Sequence, residues 1–424
     1  MSIDNKIIRL IFFLIPISLL SGSFIPDLLV SIISIFFIFK FYENKISFFE
    51  NKFILFSIIY YFIIIFSIIF VSPSPIVKQG TSIFYLRFSF FSLALYYFFN
   101  NNENILNFSK VIFFTFIVLI IDSFIQFYFG KNIIGIELIP TRVSSFFGDE
   151  WIMGSFVSKI FSLNLIFISL LKLDHHNKIY LYSFVFIFSL FLIFLSGERT
   201  SLGMFLFQAV FIFILLKYNF YKKLIFLSLF LILSFSSLLF LDKVNTNNSI
   251  LLDKITSSLE RFEHGFKNYI SLKNDIVEVI PSHKGHYITA YNIYKDNKLF
   301  GAGIKSFRYL CNDKKYKYND SSCSTHPHNI ALLFISELGI IGFLIYTFFI
   351  IFLIIDILRN YLKRNLNEVD INDYNRFIFI GIGILSTILP ILPNGNFFNN
   401  YMSIMFYLLM GYYLFLRKNI YKKN

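Results

Sequence analysis

The stretch HNIALLFISELGIIGFLIYTFFIIFLIIDI, residues 328–357, decides the fold class. It is about 30 residues long, or about 45 Å as a helix, and therefore exceeds the roughly 20 residues that cross a bilayer core. Glu337 interrupts this apolar run, and a charged side chain at mid-membrane would cost about 2.5–3.5 kcal/mol. We therefore expect the first two turns of this span to lie beyond the bilayer core, on the outer side.

Similar apolar runs recur along the chain, and each is a candidate transmembrane helix. With the quoted stretch, about twelve lie near 6–22, 27–42, 52–71, 81–99, 109–129, 152–172, 178–195, 200–217, 222–241, 328–357, 374–392 and 399–416. The pairs 178–195/200–217 and 374–392/399–416 are predicted to be tight helical hairpins. The sequence thus predicts an all-α polytopic membrane protein with about 12 transmembrane helices.

The composition agrees with a membrane protein. Hydrophobic residues make up 56% of the chain and charged residues 15%, whereas soluble domains carry about 25% charge. These values exclude a soluble enzyme, a disordered chain and a coiled coil. The formal net charge is +13, but Lys and Arg are spread between apolar runs. We therefore expect membrane lipids as partners and no nucleic acid.

The distribution of basic residues predicts the orientation of the spans. With the N-terminus in the cytoplasm, nineteen Lys and Arg fall in or beside cytoplasmic segments. The short outer loops then hold only Lys78, Lys131, Arg142 and Arg199. Because cytoplasmic loops of membrane proteins are enriched in Lys and Arg, both termini are predicted to be cytoplasmic.

A long polar insertion divides the membrane domain. Spans 1–9 occupy residues 1–241, a large outer loop occupies 242–327, and spans 10–12 occupy 328–424. Unspanned insertions of this length are either functional or disordered. Apolar residues such as Tyr287 and Ile293 punctuate the loop and favour a folded, partly helical cap, with disorder as the alternative.

Both cysteines of the chain, Cys311 and Cys323, fall in this loop. In an oxidising outer compartment a disulfide between them is expected, and a loop of this size would contribute roughly 3 kcal/mol. Two free thiols are the alternative. Two cysteines are too few for a disulfide scaffold or a structural zinc site.

Three arginines at the outer face are candidate functional residues, since ionisable groups beside spans are costly. Arg87 lies about two turns into the fourth span, and the alternative is that it snorkels to the interface. Arg142 lies in an outer loop, with a salt bridge to Asp149 or Glu150 as its alternative. Arg199 lies in SGERTSLG, a four-residue turn, where a guanidinium beside a helix N-terminus would bind an anion.

For Arg199 the alternative is an ordinary turn in which its side chain pairs with Glu198.

The strongest constellation is CSTHPHNIALLFISELGIIG, residues 323–342. Ser324 or Thr325 is predicted to cap the tenth span. His326 and His328 then lie at a helix N-terminus, where a near-neutral imidazole suits a general base for a sugar hydroxyl. A metal site and simple capping are the alternatives, and neighbouring metal ligands at usual spacings are missing.

These motifs together resemble the family of O-antigen ligases and O-antigen polymerases. The resemblance rests on SGERTSLG, KLFGAGIKSFRYLC, HPHNIALLFISELGIIG, TRVSSFFGDEWIMGS, LPNGNFFNN and Arg87 in FYLRFSFF. The twelve-span layout, with one large periplasmic loop before the tenth span, is similar too. The resemblance covers most of the chain, and HPHN…ELGIIG is its most specific part.

The resemblance implies a glycan transferase of a bacterial inner membrane with a periplasmic active site. Its donor would be an oligosaccharide on undecaprenyl pyrophosphate. Its acceptor would be a lipid A core sugar in a ligase, or another glycan repeat in a polymerase. The family's essential His corresponds to His328 and its turn Arg to Arg199, and His326 is counted with them as catalytic.

The family also places an Arg in the large loop, where this chain reads HKGHYITAYNIYKDN and has none. Its role would pass to Arg261, His286 or Arg308. Asn329 and Glu337, together with Arg87 and Arg142, complete the expected set of pyrophosphate- and glycan-binding residues.

The residues themselves suit this chemistry without the resemblance. Transfer from a lipid pyrophosphate needs positive charge on the leaving diphosphate and a base for the attacking hydroxyl. No acidic metal cage is evident, so metal-independent, inverting transfer without a cofactor is expected. A lipid-linked oligosaccharide flippase is the rival from another class. Transporters place charges at mid-membrane and show internal repeats, whereas here only Asp122 and Lys159 interrupt the spans at depth.

Overall fold

The computed structural model describes residues 6–43, 52–71, 80–99, 102–139, 142–216, 281–365 and 370–422. Within these ranges the chain is helical, and its extended pairings are two isolated β-bridges. The predicted all-α class is therefore confirmed for the described part of the chain. The ninth candidate span, Arg261 and the first half of the large loop lie outside the described residues.

Eight α-helices precede the large loop. They are α1 (Lys6–Ser18), α2 (Phe24–Glu43), α3 (Lys52–Phe66), α4 (Arg87–Phe98), α5 (Asn102–Phe129), α6 (Met153–Leu170), α7 (His175–Ser196) and α8 (Arg199–Leu215). Five more follow from residue 281 onward. They are α9 (Pro281–Asp296), α10 (Phe307–Leu310), α11 (Ile330–Asn365), α12 (Ile371–Thr387) and α13 (Asn400–Lys422).

Six described helices are long and apolar enough to cross a membrane: Phe24–Glu43, Lys52–Phe70, Glu103–Phe129, Met153–Leu170, His176–Ser196 and Ile330–Lys363. Two shorter apolar helices are Ser82–Phe98 and Arg199–Leu215. These findings make the protein a multi-helix membrane protein, and the count of twelve spans stays a prediction.

Small residues let the helices pack closely. A Cβ on Gly411 of α13 would collide with Leu95 of α4, and a Cβ on Gly383 of α12 would collide with Ser162 of α6. In addition, the Ser92 hydroxyl on α4 donates to the carbonyl of Tyr407 on α13 (2.6 Å). Close backbone approach through small residues is typical of membrane helices, because lipid supplies no hydrophobic force between them.

Helix α6 lies at the centre of the bundle, with 89% of its span buried. Lys159 on this helix is buried and donates to the hydroxyl and carbonyl of Ser155 one turn away. Asp122 on α5 is also buried and accepts from the Ile133 N–H (2.9 Å) and the Ser145 hydroxyl. Both charged residues predicted to lie at depth therefore have local partners, and Asp122 also ties the bundle to the loop that follows α5.

Three expected boundaries differ from the structure. The turn between α7 and α8 contains only Gly197 and Glu198, because Gly197 adopts a left-handed φ of 64° that ends α7 abruptly. The expected tight hairpin between α12 and α13 is instead the connection 388–399. Arg87 begins α4 rather than lying two turns inside a helix, since residues 80–84 form a separate 3-10 turn.

Polar networks cap one end of the bundle, opposite the histidines. Arg9 donates to Asn104 (3.0 Å), and Arg376 donates to the Ser169 carbonyl (3.0 Å). Near the far end of α11, Asp356 accepts from Arg417 of α13 (3.0 Å). These basic residues are among those that the sequence assigns to the cytoplasm, and His328 precedes the other end of α11.

Candidate functional site

Four imidazoles meet where the large loop joins α11. His283 and His286 lie one turn apart on α9, and His326 and His328 come just before α11. The ring of His328 lies 4.6 Å from that of His283, 5.2 Å from that of His286 and 4.2 Å from that of His326, measured between centroids. His283 and His286 share one helix face because residues three apart do so. The structure thus brings three sequence-predicted histidines, His286, His326 and His328, together with His283.

His326 is fixed by hydrogen bonds at both ring nitrogens. Its Nε2 lies 2.9 Å from the carbonyl oxygen of Asn394 and its Nδ1 lies 2.9 Å from the Thr325 hydroxyl. Because a carbonyl only accepts, Nε2 carries the proton and Nδ1 accepts from Thr325. Burial, with a contribution from the Arg308 charge, lowers the pKa of His326 to about 4. Both ring nitrogens of His326 are thus engaged, which suits a ring that supports its neighbours, and its role as a base stays a prediction.

His328 has a different environment. Among the residues that the structure describes, none makes a hydrogen bond to its ring, while its carbonyl accepts from the Asn394 N–H (3.0 Å). Its backbone has a φ of 56°, which is unusual for a residue other than glycine. Burial, followed by the charges of the other imidazoles, lowers its pKa to about 3. The expectation of a near-neutral pKa is thus corrected, and the ring is neutral at pH 7 with a lone pair available to a hydroxyl.

Asn329 caps α11. Its side-chain oxygen accepts from the Leu332 N–H (3.0 Å), and its amide donates to the Pro390 carbonyl (2.8 Å). The sequence predicted this N-cap role for Ser324 or Thr325, whereas the structure assigns it to Asn329. Both polar ends of Asn329 are occupied, so its expected part in glycan binding is replaced by a structural one.

The outer end of α11 is interlocked with the large loop. Gly339 has a φ of 67°, which breaks the helix. The loop uses the backbone groups that the break leaves free, because the N–H of Gly303 donates to the Glu337 carbonyl (2.9 Å) and the N–H of Ile340 to the Lys298 carbonyl (2.8 Å). A Cβ at Gly301 would overlap the Glu337–Leu338 backbone. Gly301 of the loop and Gly339 of α11 are therefore both required by the close contact between these two segments.

The carboxylate of Glu337 holds the loop from inside this interlock. It is fully buried and accepts the N–H groups of Lys305 (2.7 Å) and Phe307 (3.2 Å). These two bonds orient the turn that leads into α10. Glu337 thus anchors the turn from within, and its expected contact with substrate is corrected to a positioning role. The interlock also explains how a carboxylate is tolerated in an apolar helix, since its partners are supplied by the loop.

Arg308 on α10 lies among the charged groups that surround the imidazoles. Its Nε is buried without a hydrogen-bond partner in the described part of the chain. Its charge contributes to the lowered pKa values of both His326 and Lys305. Of the three loop residues that the sequence offered, Arg308 is a cation beside the imidazoles, His286 is part of the imidazole cluster, and Arg261 lies outside the described residues.

A second cationic group is built from distant parts of the chain. Arg87 forms a salt bridge with Asp27 on α2 through Nη2 (2.8 Å), and Asn400 at the start of α13 donates to the other Asp27 oxygen (2.9 Å). The Lys305 ammonium lies 3.2 Å from the Asn400 side-chain oxygen. The snorkelling alternative for Arg87 is therefore replaced by an ion pair that connects α4 to the site.

No role was predicted from the sequence for Lys305, Asp27, Asn394 or Asn400. His283 entered only as the first residue of HKGHYITAYNIYKDN. Asn394 and Asn400 do fall in LPNGNFFNN, one of the motifs that carry the resemblance. The signal for these residues was thus partly present, but their contacts join segments far apart in the sequence.

Arg199 is exposed at the first residue of α8. No salt bridge or hydrogen bond of its side chain occurs among the described residues, although its charge contributes, after burial and His286, to the lowered pKa of His283. Its alternative partner is engaged elsewhere, because Glu198 accepts the N–H groups of Gly154 (2.6 Å) and Ser155 (3.0 Å) at the start of α6. The charge of Arg199 therefore acts on His283 of the imidazole cluster and is not paired with Glu198.

Arg142 lies over the ring of Trp151, 4.1 Å from its centroid. Trp151 is the single tryptophan of the chain and is 53% exposed. This ring contact is one interaction of Arg142, and the pairing with Asp149 or Glu150 stays an alternative. Its loop reaches α7 through the Val143 N–H, which donates to the Leu195 carbonyl (3.0 Å).

The end of the large loop has a small core of its own. Cys311 and Cys323 are joined by a disulfide, with their Cα atoms 4.9 Å apart. Cys311 packs with Ile293 of α9 and Phe307 of α10. The described part of the loop is therefore folded and partly helical, and its core supports the segment that carries Arg308.

No group of three or more His, Cys, Asp or Glu side chains in the described ranges has an arrangement that could hold a metal ion. The cluster of four imidazoles consequently does not fit a metal. Its neighbours are cationic, so the site as a whole is suited to an anion rather than to a metal ion.

An apolar groove with a volume of about 70 Å³ lies within the bundle. Its lining is mostly aromatic and comes from α3, α11, α13 and the 388–399 connection: Phe53, Phe56, Tyr60, Phe334, Tyr346, Phe349, Phe397, Phe406 and Tyr407. Phe334 lies two turns after His328, and Phe397 lies between Asn394 and Asn400. The groove therefore shares two elements, α11 and the 388–399 connection, with the site.

One comparison with known protein families gives a match. Residues 184–347 match the family model described as O-antigen ligase, so this part of the chain is similar to that family. The matched range includes Arg199, the described part of the large loop and the interlocked end of α11. The match indicates glycan transfer of the O-antigen ligase or polymerase type at a membrane. No curated protein matches the chain.

Proposed function

We propose that the protein transfers an oligosaccharide from undecaprenyl pyrophosphate to an acceptor sugar hydroxyl at the periplasmic face of a bacterial inner membrane. The acceptor is the lipid A core, which makes the protein an O-antigen ligase. The reaction is metal-independent and inverts the anomeric carbon. The observation that carries the proposal is the half-buried, neutral imidazole of His328 within a cluster of four imidazoles, where the charge of Arg308 acts on His326 and that of Arg199 on His283.

The cations suit the donor. Cleavage of the bond between the anomeric carbon and the diphosphate oxygen leaves negative charge on the diphosphate, which fixed positive charges stabilise more strongly as it develops. The unpaired Nε of Arg308 and the exposed guanidinium of Arg199 are donors for phosphate oxygens. Arg87 is bound to Asp27 and holds the second cationic group in place.

His328 suits the acceptor. The hydroxyl oxygen attacks the anomeric carbon on the face opposite the leaving diphosphate, a new glycosidic bond forms, and the hydroxyl proton passes to a nitrogen of His328. Burial and the other imidazoles hold the pKa of His328 at about 3. A bound diphosphate would raise that pKa, because an adjacent negative charge stabilises the imidazolium. The base thus gains strength when the donor is present.

The aromatic groove suits the lipid. Its walls are apolar, and two of its elements, α11 and the 388–399 connection, also carry residues of the site. A polyprenyl chain in this groove would hold the diphosphate at the level of Arg308 without leaving the membrane. Burial of apolar area of this kind supplies binding free energy that does not depend on the glycan.

The proposal is tested by measuring glycan transfer with purified protein, lipid-linked oligosaccharide and lipid A core. His328→Ala and Arg199→Ala are each expected to abolish transfer while leaving membrane insertion and thermal stability intact. The matched controls are His176→Ala and Arg359→Ala, which change exposed residues at the opposite end of the bundle. Near-normal product from either site variant would disprove its assignment.

A polymerase would use the same donor chemistry and differ only in its acceptor. The surface glycan of a deletion strain distinguishes the two, because a ligase deletion leaves core without O-chain and a polymerase deletion leaves core with one repeat. A flippase would move lipid-linked glycan between the leaflets of a proteoliposome without making product, so the same preparation separates transfer from transport.

A further inference from the structure

Lys305 occupies a backbone conformation that normally selects glycine. Its φ is 63°, and the nearby Gly301 and Gly303 have φ values of 68° and 89°. Left-handed backbone is costly for residues with a Cβ and free for glycine. The turn therefore uses glycine at two positions and a lysine at a third. A strained residue in a loop that is fixed by its surroundings is characteristic of functional sites.

The backbone of Lys305 is held so that its side chain leaves the turn in one direction. Its N–H donates to the buried Glu337 carboxylate (2.7 Å). Two residues earlier, the N–H of Gly303 donates to the carbonyl of Glu337 (2.9 Å). The conformation is thus over-determined by α11, and the side chain extends from a rigid support.

The ammonium group of Lys305 ends a chain of polar contacts. Its Nζ lies 3.2 Å from the side-chain oxygen of Asn400, whose amide donates to Asp27 (2.9 Å). Asp27 also pairs with Arg87 (2.8 Å). The Asp27 carboxylate therefore interacts directly with Arg87 and, through the Asn400 amide, with Lys305. With Arg308 nearby, this group of side chains carries more positive than negative charge.

The electrostatics of Lys305 show the same imbalance. Burial, followed by the charges of Arg308 and Arg87, lowers its pKa to about 8, against the opposing charges of Glu337 and Asp27. A positive charge in a partly buried position beside other cations is relieved when an anion binds. Lys305 is therefore protonated at neutral pH. Its ammonium group donates hydrogen bonds and does not act as a base.

We propose that Lys305 is a phosphate-binding residue that contacts the diphosphate of the lipid-linked donor. The inference rests on the proposed function and adds a binding residue to it. Asn400 contacts the ammonium group in the structure, and phosphate oxygens replace Asn400 as its partner when the donor binds. Lys305 then acts with Arg308 on the leaving diphosphate, while His328 acts on the acceptor.

The test compares Lys305→Gly, Lys305→Met and Lys305→Arg in the full-length protein. Glycine relieves the strained φ, so Lys305→Gly is expected to unfold at the same temperature as wild type or a higher one. Its KM for the donor should nevertheless rise by about tenfold or more, as expected for loss of a charge-assisted contact. Lys305→Met keeps the length of the side chain and should show the same rise. The matched control is Lys315→Gly, which removes an exposed lysine of the same loop.

Inorganic pyrophosphate serves as a probe of the diphosphate site alone. It should inhibit wild type competitively with the donor, and its inhibition constant should rise about as much as KM in Lys305→Gly. The pH profile gives a second readout that a structural role would not affect. In wild type, kcat/KM should fall above about pH 8 as Lys305 loses its proton, whereas Lys305→Arg stays charged and should keep its kcat/KM.

Unchanged KM and unchanged pyrophosphate inhibition in both Lys305→Gly and Lys305→Met would overturn the inference. If His328→Ala is inactive in the same assay, the proposed function stands and only the role of Lys305 is lost. Full activity of His328→Ala would instead remove the proposed function itself. The two failures are thus distinguishable in one set of measurements.

Discussion

Replacing Glu337 with glutamine is expected to impair transfer although Glu337 does not touch the substrate. Each oxygen of its carboxylate accepts one backbone N–H, from Lys305 (2.7 Å) and from Phe307 (3.2 Å). Glutamine keeps the shape of the side chain but presents an NH₂ group, which cannot accept, to one of these donors. The turn that carries Lys305 and Arg308 would therefore lose one of its two anchors.

The magnitude follows from the type of bond that is lost. A hydrogen bond to a charged group contributes about 1.5–3 kcal/mol, and a buried N–H left without a partner adds to the loss. If this free energy appears in the positioning of the turn, kcat/KM falls roughly 10- to 150-fold. Glu337→Ala removes both acceptors and should cost more than Glu337→Gln.

The assay is the steady-state kinetics of glycan transfer by detergent-purified protein, accompanied by thermal unfolding. Glu103→Gln is the control, because Glu103 is an exposed carboxylate at the opposite end of the bundle. A Glu337→Gln variant with kcat/KM within threefold of wild type would refute the reasoning. Equal losses of kcat/KM in Glu337→Gln and in the control would refute it as well.

Three further results concern stability. Replacing Cys311 and Cys323 with serine should destabilise the end of the large loop by roughly 3 kcal/mol, which reduction of the wild type should reproduce in thermal unfolding. Burial lowers the pKa of His326 to about 4 and that of His328 to about 3, whereas unfolded His has a pKa near 6.5. The free energy of unfolding should therefore be at its full value above pH 6.5 and fall as the pH drops toward 4. This fall should be smaller in a variant in which both histidines are changed to Gln. Glu198→Ala leaves two N–H groups at the start of a buried helix without acceptors and should cost about 1–3 kcal/mol in chemical unfolding.

The helices were predictable from the sequence because their signal is local. A run of apolar residues identifies a membrane helix wherever it packs, so the span predicted at 328–357 corresponds to α11 at Ile330–Asn365. The position of His328 just before a helix was predictable for the same reason. The break at Gly339 was not, since glycine is common in membrane helices and only the contact with Gly301 shows what it is for.

The site was only partly predictable because its contacts join distant segments. The pairing of Asp27 with Arg87 and the contact of Lys305 with Asn400 connect residues that no local pattern relates. The sequence therefore identified Arg87 as a candidate but left its partner unknown. The pKa of His328 was misjudged for a similar reason, because the burial that lowers it comes from the loop helix α9 and from its neighbours.

The most direct test of the central claim is a cryo-electron microscopy map of the protein with undecaprenyl pyrophosphate bound. We predict diphosphate density within about 3 Å of the Arg308 guanidinium, on the side of His328, with the lipid tail in the aromatic groove beside Phe334. Diphosphate density at the opposite end of the bundle, beside Arg376, with the imidazole cluster unchanged, would contradict the account.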